Sequence, residues 1–110
     1  MADLTDKEIT EACTRAMGYV QVEHQPKRDR VFYLHPNGSA VLCSYNPIHD
    51  DAQAMALVKK LDLMIGGNSD QGFRNWLVFS DRHQVETWNA DLNRAICLCA
   101  ARVQIEKEKN

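Results

Sequence analysis

Apolar residues recur at helical spacing near the start of the chain. Thr5 and Glu8 form the pattern of a capping box, in which each side chain satisfies a backbone N–H at a helix start. The apolar positions that follow lie at i, i+3, i+4, i+7 and i+8, and Gly18 supplies the left-handed residue that ends many helices. This pattern predicts a helix over 6–17. Its apolar stripe is Ile9, Ala12, Cys13, Ala16 and Met17.

Two further segments share this periodicity. A second helix is predicted over 46–61, with Pro47 at its first position, where the missing proline N–H needs no partner. The segment 61–65 alternates, and it is either a short strand or the last turn of that helix. A third helix follows a cap at Asn89 or Asp91. The two apolar stripes are Ala54, Leu57, Val58 and Leu61, then Leu92, Ala95, Ile96, Cys99, Ala100 and Val103.

Two β-prone runs, 31–35 and 39–45, flank the turn sequence 36–38, Pro-Asn-Gly. A type I turn with a bulge would pair His35 with Ser39 and continue outward. Both faces of the resulting hairpin are apolar, so helices are expected to cover both. The two predicted faces carry Val31, Tyr33, Val41 and Cys43 on one side, and Phe32, Leu34, Ala40 and Leu42 on the other.

A second hairpin is predicted later in the chain. The run 76–79 is the most strongly strand-like and is expected at the centre of the sheet, whereas 84–88 has the polar alternation of an edge strand. A turn over 80–83 joins them. The glycine-rich segment 66–72 is predicted to be a loop, and the residues after Gly18 up to residue 30 a polar connection.

These elements predict one α+β domain over 1–110, with a frayed polar tail at 105–110. The expected architecture is an antiparallel sheet of about four strands with helices on both faces, an α/β/α sandwich in the order helix-hairpin-helix-hairpin-helix. A chain of 110 residues, 45% of them apolar, suits a single core.

Charge and composition exclude some classes of function. The net charge of −2 argues against nucleic acid as a partner, because phosphate binding requires a basic balance. No apolar run approaches the roughly 20 residues of a membrane span, and the start lacks the pattern of a signal peptide. We therefore expect a cytoplasmic protein whose cysteines are reduced thiols. They are Cys13, Cys43, Cys97 and Cys99.

Cys97 and Cys99 are the first candidates for chemistry. On a helix, residues i and i+2 point about 200° apart, so this pair cannot hold one metal ion or form a disulfide. Cys99 is predicted to be a core residue. Cys97, with Leu98 and Ala101, is expected on a second side of the helix that covers another layer or a partner.

His49, Asp50 and Asp51 are the second candidates, because three metal-ligand types stand in a row. Adjacent side chains diverge on a helix, and the favoured interpretation is that the aspartates complement the helix dipole. A metal-dependent hydrolase using these residues remains an alternative. No catalytic residue, cofactor or metal site is predicted, since the chain has no nucleophile motif and no zinc-ligand spacing.

Binding residues are the third group. Trp76 is expected in the core or covering the sheet, and Trp88 either covers the sheet or marks a contact surface at its edge. The glycine segment and the only basic cluster are candidates for contacting an anionic ligand or a partner. The candidate binding residues are Lys27, Arg28, Arg30, Gly66, Gly67 and Trp88.

Four short motifs together resemble the phage ABA sandwich family of small phage and prophage proteins. They are Met17-Gly18-Tyr19, the aromatic-proline stretch and helix of 45–61, Trp76-Leu77-Val78, and Ala95-Ile96-Cys97. The resemblance covers 9–103, but Tyr19 stands where the family usually has tryptophan. It implies an α/β/α sandwich and a phage origin, and it implies no catalytic residues, because the molecular function of the family is not established.

The sequence therefore predicts a phage-encoded protein of the host cytoplasm that is not an enzyme. Its expected role is to bind and block a host or anti-phage defence protein, a CRISPR effector included, through an edge strand or a loop surface. The alternative is an oligomeric sponge that sequesters a nucleotide-like signal molecule at an interface between copies of the chain.

Overall fold

The computed structural model describes residues 4–24, 31–34, 43–68 and 75–109. Within them the chain forms three helices and six strands and is of the α+β class, as predicted. The elements in chain order are α1 (Asp6–Ala16), β1 (Val20–His24), β2 (Val31–Leu34), β3 (Cys43–Tyr45), α2 (Asp51–Leu61), β4 (Met64–Asn68), β5 (Asn75–Ser80), β6 (Val85–Asn89) and α3 (Leu92–Glu108).

The described strands form two antiparallel sheets of three strands each, in the orders β1-β2-β3 and β4-β5-β6. Helices alternate with two strand-rich segments as predicted, but each segment carries three strands where the prediction has a hairpin of two. The single sheet of about four strands is therefore replaced by two smaller sheets. The strand β1 comes from a stretch predicted to be a polar connection, and β4 spans the end of the open segment 61–65 and the start of the predicted loop.

The predicted start and stop of α1 are confirmed. Thr5 Oγ1 accepts from the Glu8 N–H at 3.2 Å and Glu8 Oε1 accepts from the Thr5 N–H at 3.0 Å, which is the capping box. At the other end Gly18 has φ 76°, and the Gly18 and Tyr19 N–H groups donate back into the last turn. This is a Schellman motif, and it ends the helix at Ala16, one residue before the predicted end.

The strand β1 is missing from the sequence prediction. Val20 and Val22 alternate with Gln21 and Glu23, and this period of two is the signal that identifies a strand. β1 pairs with β2 antiparallel, with an irregularity in register between Gln21 and Glu23. It supplies the third strand of the first sheet.

The register of the first predicted hairpin is also corrected. Pairing His35 with Ser39 and continuing outward would place Val31 opposite Cys43, whereas Val31 pairs with Tyr45. Turn length sets hairpin register, so the observed pairing corresponds to a connection two residues longer than the predicted turn. The turn itself, with the rest of 35–42, lies outside the described residues.

The helix α2 begins later than predicted because Asp50, not Pro47, sets its start. The Asp50 carboxylate accepts from the Gln53 N–H at 2.9 Å, and Pro47 is buried in the turn before the helix. The segment 61–65 contains both predicted alternatives, the end of the helix and the start of a strand. Leu61 is the last helical residue, and after a left-handed Asp62 the strand β4 begins at Met64.

In the second sheet β5 is central and β6 is an edge strand among the described residues, as predicted. The expectation of a loop over 66–72 is wrong for its first three residues. Gly66, Gly67 and Asn68 pair with Leu77, Trp76 and Asn75, and so they belong to β4. The rest of that segment lies outside the described residues.

The helix α3 lies at the centre of the fold, packed against α1, α2, β5 and β6. Asp91 caps it, and its predicted stripe is buried except for a half-buried Leu92. The segment 105–110, predicted as a frayed tail, is helical as far as Glu108. There the Glu108 carboxylate accepts two hydrogen bonds from the Arg15 guanidinium, at 2.7 and 3.1 Å.

Among the described residues, a helix packs against one face of the second sheet only. Thr87 on β6 is buried and its hydroxyl donates to the Ala95 carbonyl of α3 at 2.8 Å, and Val78 on β5 is buried beside it. On the opposite face Met64 and Trp88 are exposed. The predicted cover of helices on both faces is therefore not found in the described part of this sheet.

Replacing Thr87 with valine should lower the free energy of unfolding by about 1 kcal/mol, because it removes the side-chain hydrogen bond that joins β6 to α3. Urea denaturation followed by circular dichroism measures the change. Thr14→Val is the matched control, since the Thr14 hydroxyl donates to Thr10 within one helix and joins no two elements. An equal or larger loss in the control would contradict the role of Thr87.

Candidate functional site: an apolar face of the second sheet

The register of the second sheet places several exposed or half-buried apolar side chains on one surface. Paired residues of antiparallel strands project from the same face, and neighbours along a strand alternate. Leu77 pairs with Trp88 and with Gly66, and Phe79 pairs with Glu86 and with Met64. We call this surface the outer face. Its members are Met64, Gly66, Leu77, Phe79, Glu86 and Trp88.

Exposed and half-buried apolar side chains share the outer face. Met64 is 52% exposed and Trp88 is 46% exposed, while Leu77 and Phe79 are half-buried between the flanking strands. A Cβ built on Gly66 would lie 3.9 Å from Leu77 Cδ2, an ordinary contact, so glycine is not forced by crowding there. Because Gly66 has no side chain, it leaves Leu77 uncovered on that side.

One carboxylate lies among these apolar groups. The Trp88 indole Nε1–H donates to Glu86 Oε1 at 3.5 Å, a long hydrogen bond between exposed neighbours on β6. Glu86 is the only charged member of the outer face as defined from the described residues. The surface therefore combines an apolar centre with a single negative charge at the sheet edge.

The two tryptophans lie on opposite faces of the sheet. Trp88 is exposed at the edge strand, the position at which an exposed indole is predicted to mark a contact surface. Trp76 alternates with Val78 and Ser80, which face α3, yet it is 40% exposed. The expectation that Trp76 belongs to the core or sheet cover is therefore wrong for much of its surface.

Of the remaining predicted binding residues in the described part of the chain, Gly66 lies on the outer face with Trp88. Lys27, Arg28 and Arg30 lie outside the described residues. Gly66 and Gly67 are consecutive residues of β4, so only Gly66 belongs to the outer face. Met64, Leu77 and Phe79 are not predicted as binding residues from the sequence. The run 76–79 is apolar throughout and cannot show which side chains face solvent.

His49, Asp50 and Asp51 are not gathered into one site. Asp50 caps α2, the Asp51 carboxylate accepts from Asn93 Nδ2 at 2.7 Å, and His49 is exposed. In the ranges that the structure describes, no three His, Cys, Asp or Glu side chains are placed to hold a metal ion. The aspartates act as the helix-start residues that the sequence predicts.

The cysteines of α3 diverge as helical geometry requires. Cys97 meets α1, where Cys13 Sγ donates to the Cys97 carbonyl at 3.4 Å, and Cys99 meets β6, where its Sγ lies 3.9 Å from the Val85 carbonyl. The layer that Cys97 covers is therefore α1.

The surroundings of Cys13 and Cys99 favour the protonated thiol. The contact with Cys97, followed by burial, holds the pKa of Cys13 well above its usual range. Burial raises the pKa of Cys99 to about 11. At neutral pH these thiols are protonated and buried, so they pack as small apolar residues and are poor nucleophiles.

No protein-family model, curated protein or solved structure matches the chain. None of the helices in the described ranges has the length and apolar character needed to cross a bilayer. The outer face and the residues around it are therefore the basis for inferring function.

Proposed function

We propose that this chain is a phage-encoded binding protein, not an enzyme, and that it engages another protein through the outer face. The observation that supports this is the pair of exposed large apolar side chains, Met64 and Trp88, above half-buried Leu77 and Phe79 on a sheet face that no described helix covers. Contiguous exposed apolar surface on a small domain is typical of an interaction site.

The chemistry of the outer face favours a protein partner. Tryptophan and methionine are enriched at the centres of protein interfaces, where a few such residues contribute most of the binding energy. Glu86 makes the surface negative, which disfavours nucleic acid and favours a partner with a basic residue beside an apolar patch. The partner proposed is thus a different protein with an apolar, positively flanked surface.

The biological setting follows from the resemblance to phage ABA sandwich proteins. We infer that the protein acts by occupying a surface that a host or defence protein needs. A host-cell protein of the cytoplasm, a CRISPR effector among them, is accordingly the proposed target. Membership of that family is part of the proposal.

Trp88→Ala should weaken binding to the partner by about 30-fold or more, because truncating an exposed tryptophan at the interface removes a large apolar contact. Trp76→Ala is the matched control, since Trp76 has nearly the same exposure on the opposite face of the same sheet. Tagged wild type and both variants are used to capture proteins from host lysate. The Kd of each is then measured with the purified partner.

The proposal is supported if one stoichiometric partner is captured. Wild type and Trp76→Ala should bind it with the same Kd, and Trp88→Ala should bind it weakly. Equal binding by all three proteins, or no enriched partner, would overturn the proposal. Light scattering tests a further outcome. If wild type is a dimer that Trp88→Ala converts to a folded monomer, the outer face joins two copies of the chain, and the proposal of a foreign partner is wrong.

A further inference from the structure

A cleft of about 200 Å³ lies between the start of α1, the end of β6 and one side of α3. It is on the helix side of the second sheet, away from the outer face. Three of its lining side chains are apolar and three are hydrogen-bond donors, and no carboxylate is among them. The lining residues are Leu4, Ile9, Asn89, Arg94, Leu98 and Arg102.

The spacing of the α3 residues gives the cleft its shape. Arg94, Leu98 and Arg102 are separated by four residues each, so they share one face of the helix, and the arginine Cα atoms are about 12 Å apart. Leu98 lies between them, with Ile9 and Leu4 opposite on the α1 side. The cleft therefore has an apolar centre with a guanidinium group toward each end.

The two arginines differ in their partners. Arg94 Nη1 donates to Asp6 Oδ1, so a carboxylate already compensates part of its charge. Arg102 is exposed and forms no ion pair with any described residue. Asn89 Oδ1 accepts from the Asp91 N–H at 2.9 Å, and this leaves the Asn89 NH₂ group as a donor. The donors that no described carboxylate neutralises are therefore the Arg102 guanidinium and the Asn89 NH₂ group.

We propose that this cleft binds a small organic anion. A carboxylate or phosphate group accepts hydrogen bonds from Arg102 and Asn89, and an apolar part rests on Leu98 and Leu4. The volume is below the roughly 300–1,000 Å³ of clefts that hold drug-sized ligands, which limits the ligand to about the size of a benzoate ion. The site is independent of the outer face and of any protein partner there.

Benzoate, phenyl phosphate, inorganic phosphate and neutral benzamide are the probes, titrated into the full chain while amide chemical shifts are recorded by NMR. Benzoate or phenyl phosphate should shift the signals of residues that line the cleft and bind at least tenfold more tightly than benzamide. Comparing the two anions identifies the preferred head group. Comparing phenyl phosphate with inorganic phosphate tests the apolar part of the site.

Two variants test the charges. Arg102→Gln should weaken binding of the preferred anion at least tenfold, whereas Arg82→Gln, an exposed arginine in the turn after β5, should leave it unchanged. Asp6→Asn should strengthen binding severalfold, because it frees the Arg94 guanidinium from its competing carboxylate. An arginine with a merely structural role would not produce this gain. Circular dichroism establishes that each variant is folded.

The proposal is wrong if no anion shifts the cleft signals, or if benzamide binds as tightly as benzoate. It is also wrong if Arg102→Gln and Arg82→Gln have the same effect. Inorganic phosphate binding as tightly as phenyl phosphate would overturn the apolar part of the site. If no protein partner of the outer face is found, these results are unaffected, because the cleft and the outer face share no residue.

Discussion

Replacing Ile96 with alanine should lower the free energy of unfolding by about 2–5 kcal/mol. Ile96 is 1% exposed and belongs to α3, the helix that packs against two helices and two strands. Truncation removes buried methyl groups and leaves a cavity that four packed elements cannot easily close. A chain of this length is expected to have a stability of about 5–15 kcal/mol, so the loss is a large part of the total.

Urea denaturation measures this effect as a lower midpoint, and Met55→Ala on α2 is the control. Met55 is 41% exposed, so its truncation should change the midpoint little. If Ile96→Ala does not fold, Ile96→Val gives the graded result, a loss of about 0.5–1.5 kcal/mol. Equal midpoints for the Ile96 and Met55 variants would mean that α3 is not the centre of the core.

Raising the pH from 9 to 11 should lower the stability of the protein by roughly 2 kcal/mol through Cys99 alone. Burial raises the pKa of Cys99 from 9.0 to about 11, so above pH 9 the unfolded chain releases a proton that the folded chain retains. The stabilisation from the protonated thiol is fully present below pH 9. It is lost as the pH rises through the folded pKa.

Cys99→Ala isolates this effect, because alanine has no proton to release. Free energies of unfolding are measured for both proteins between pH 8 and pH 11 in the presence of a reductant. The difference between wild type and variant should shrink as the pH rises, while lysine and tyrosine titrations cancel in the comparison. Parallel curves across that range would show that the Cys99 thiol titrates alike in the folded and unfolded chains.

The helices are predictable from sequence because their signals are local. The capping box of Thr5 and Glu8 and the left-handed Gly18 are complete within one short segment, and both are found where the pattern places them. The start of α2 is predicted less well. Pro47 and Asp50 both suit a helix start, and the hydrogen bond from the Gln53 N–H to Asp50 decides between them.

The strands β1 and β4 are harder to predict because composition conceals them. Gly66 and Gly67 indicate a loop, yet pairing of β4 with β5 along five residues outweighs the low strand propensity of glycine. By composition alone β1 does not resemble a strand, because the polar residues Gln21 and Glu23 offset the strand propensity of the two valines. Only the alternation of apolar and polar residues identifies that strand.

The candidate site is predictable in part for the same reason. Trp88 is identifiable because it ends a strand whose alternate residues are polar, which is typical of an edge. Met64, Leu77 and Phe79 join it only through the register of three strands, and that register depends on recognising β4. The cleft between α1 and α3 depends on contacts between distant parts of the sequence, which no local pattern encodes.

The central position of α3 has a consequence for biosynthesis. The ribosome makes α1, α2, β5 and β6 before it makes the helix that they all contact. Until that helix leaves the exit tunnel, the apolar stripe of α1 lacks its most extensive packing partner, and the inner face of the second sheet stays open to solvent. The domain therefore closes in one late step, and the nascent chain is most prone to aggregation just before it.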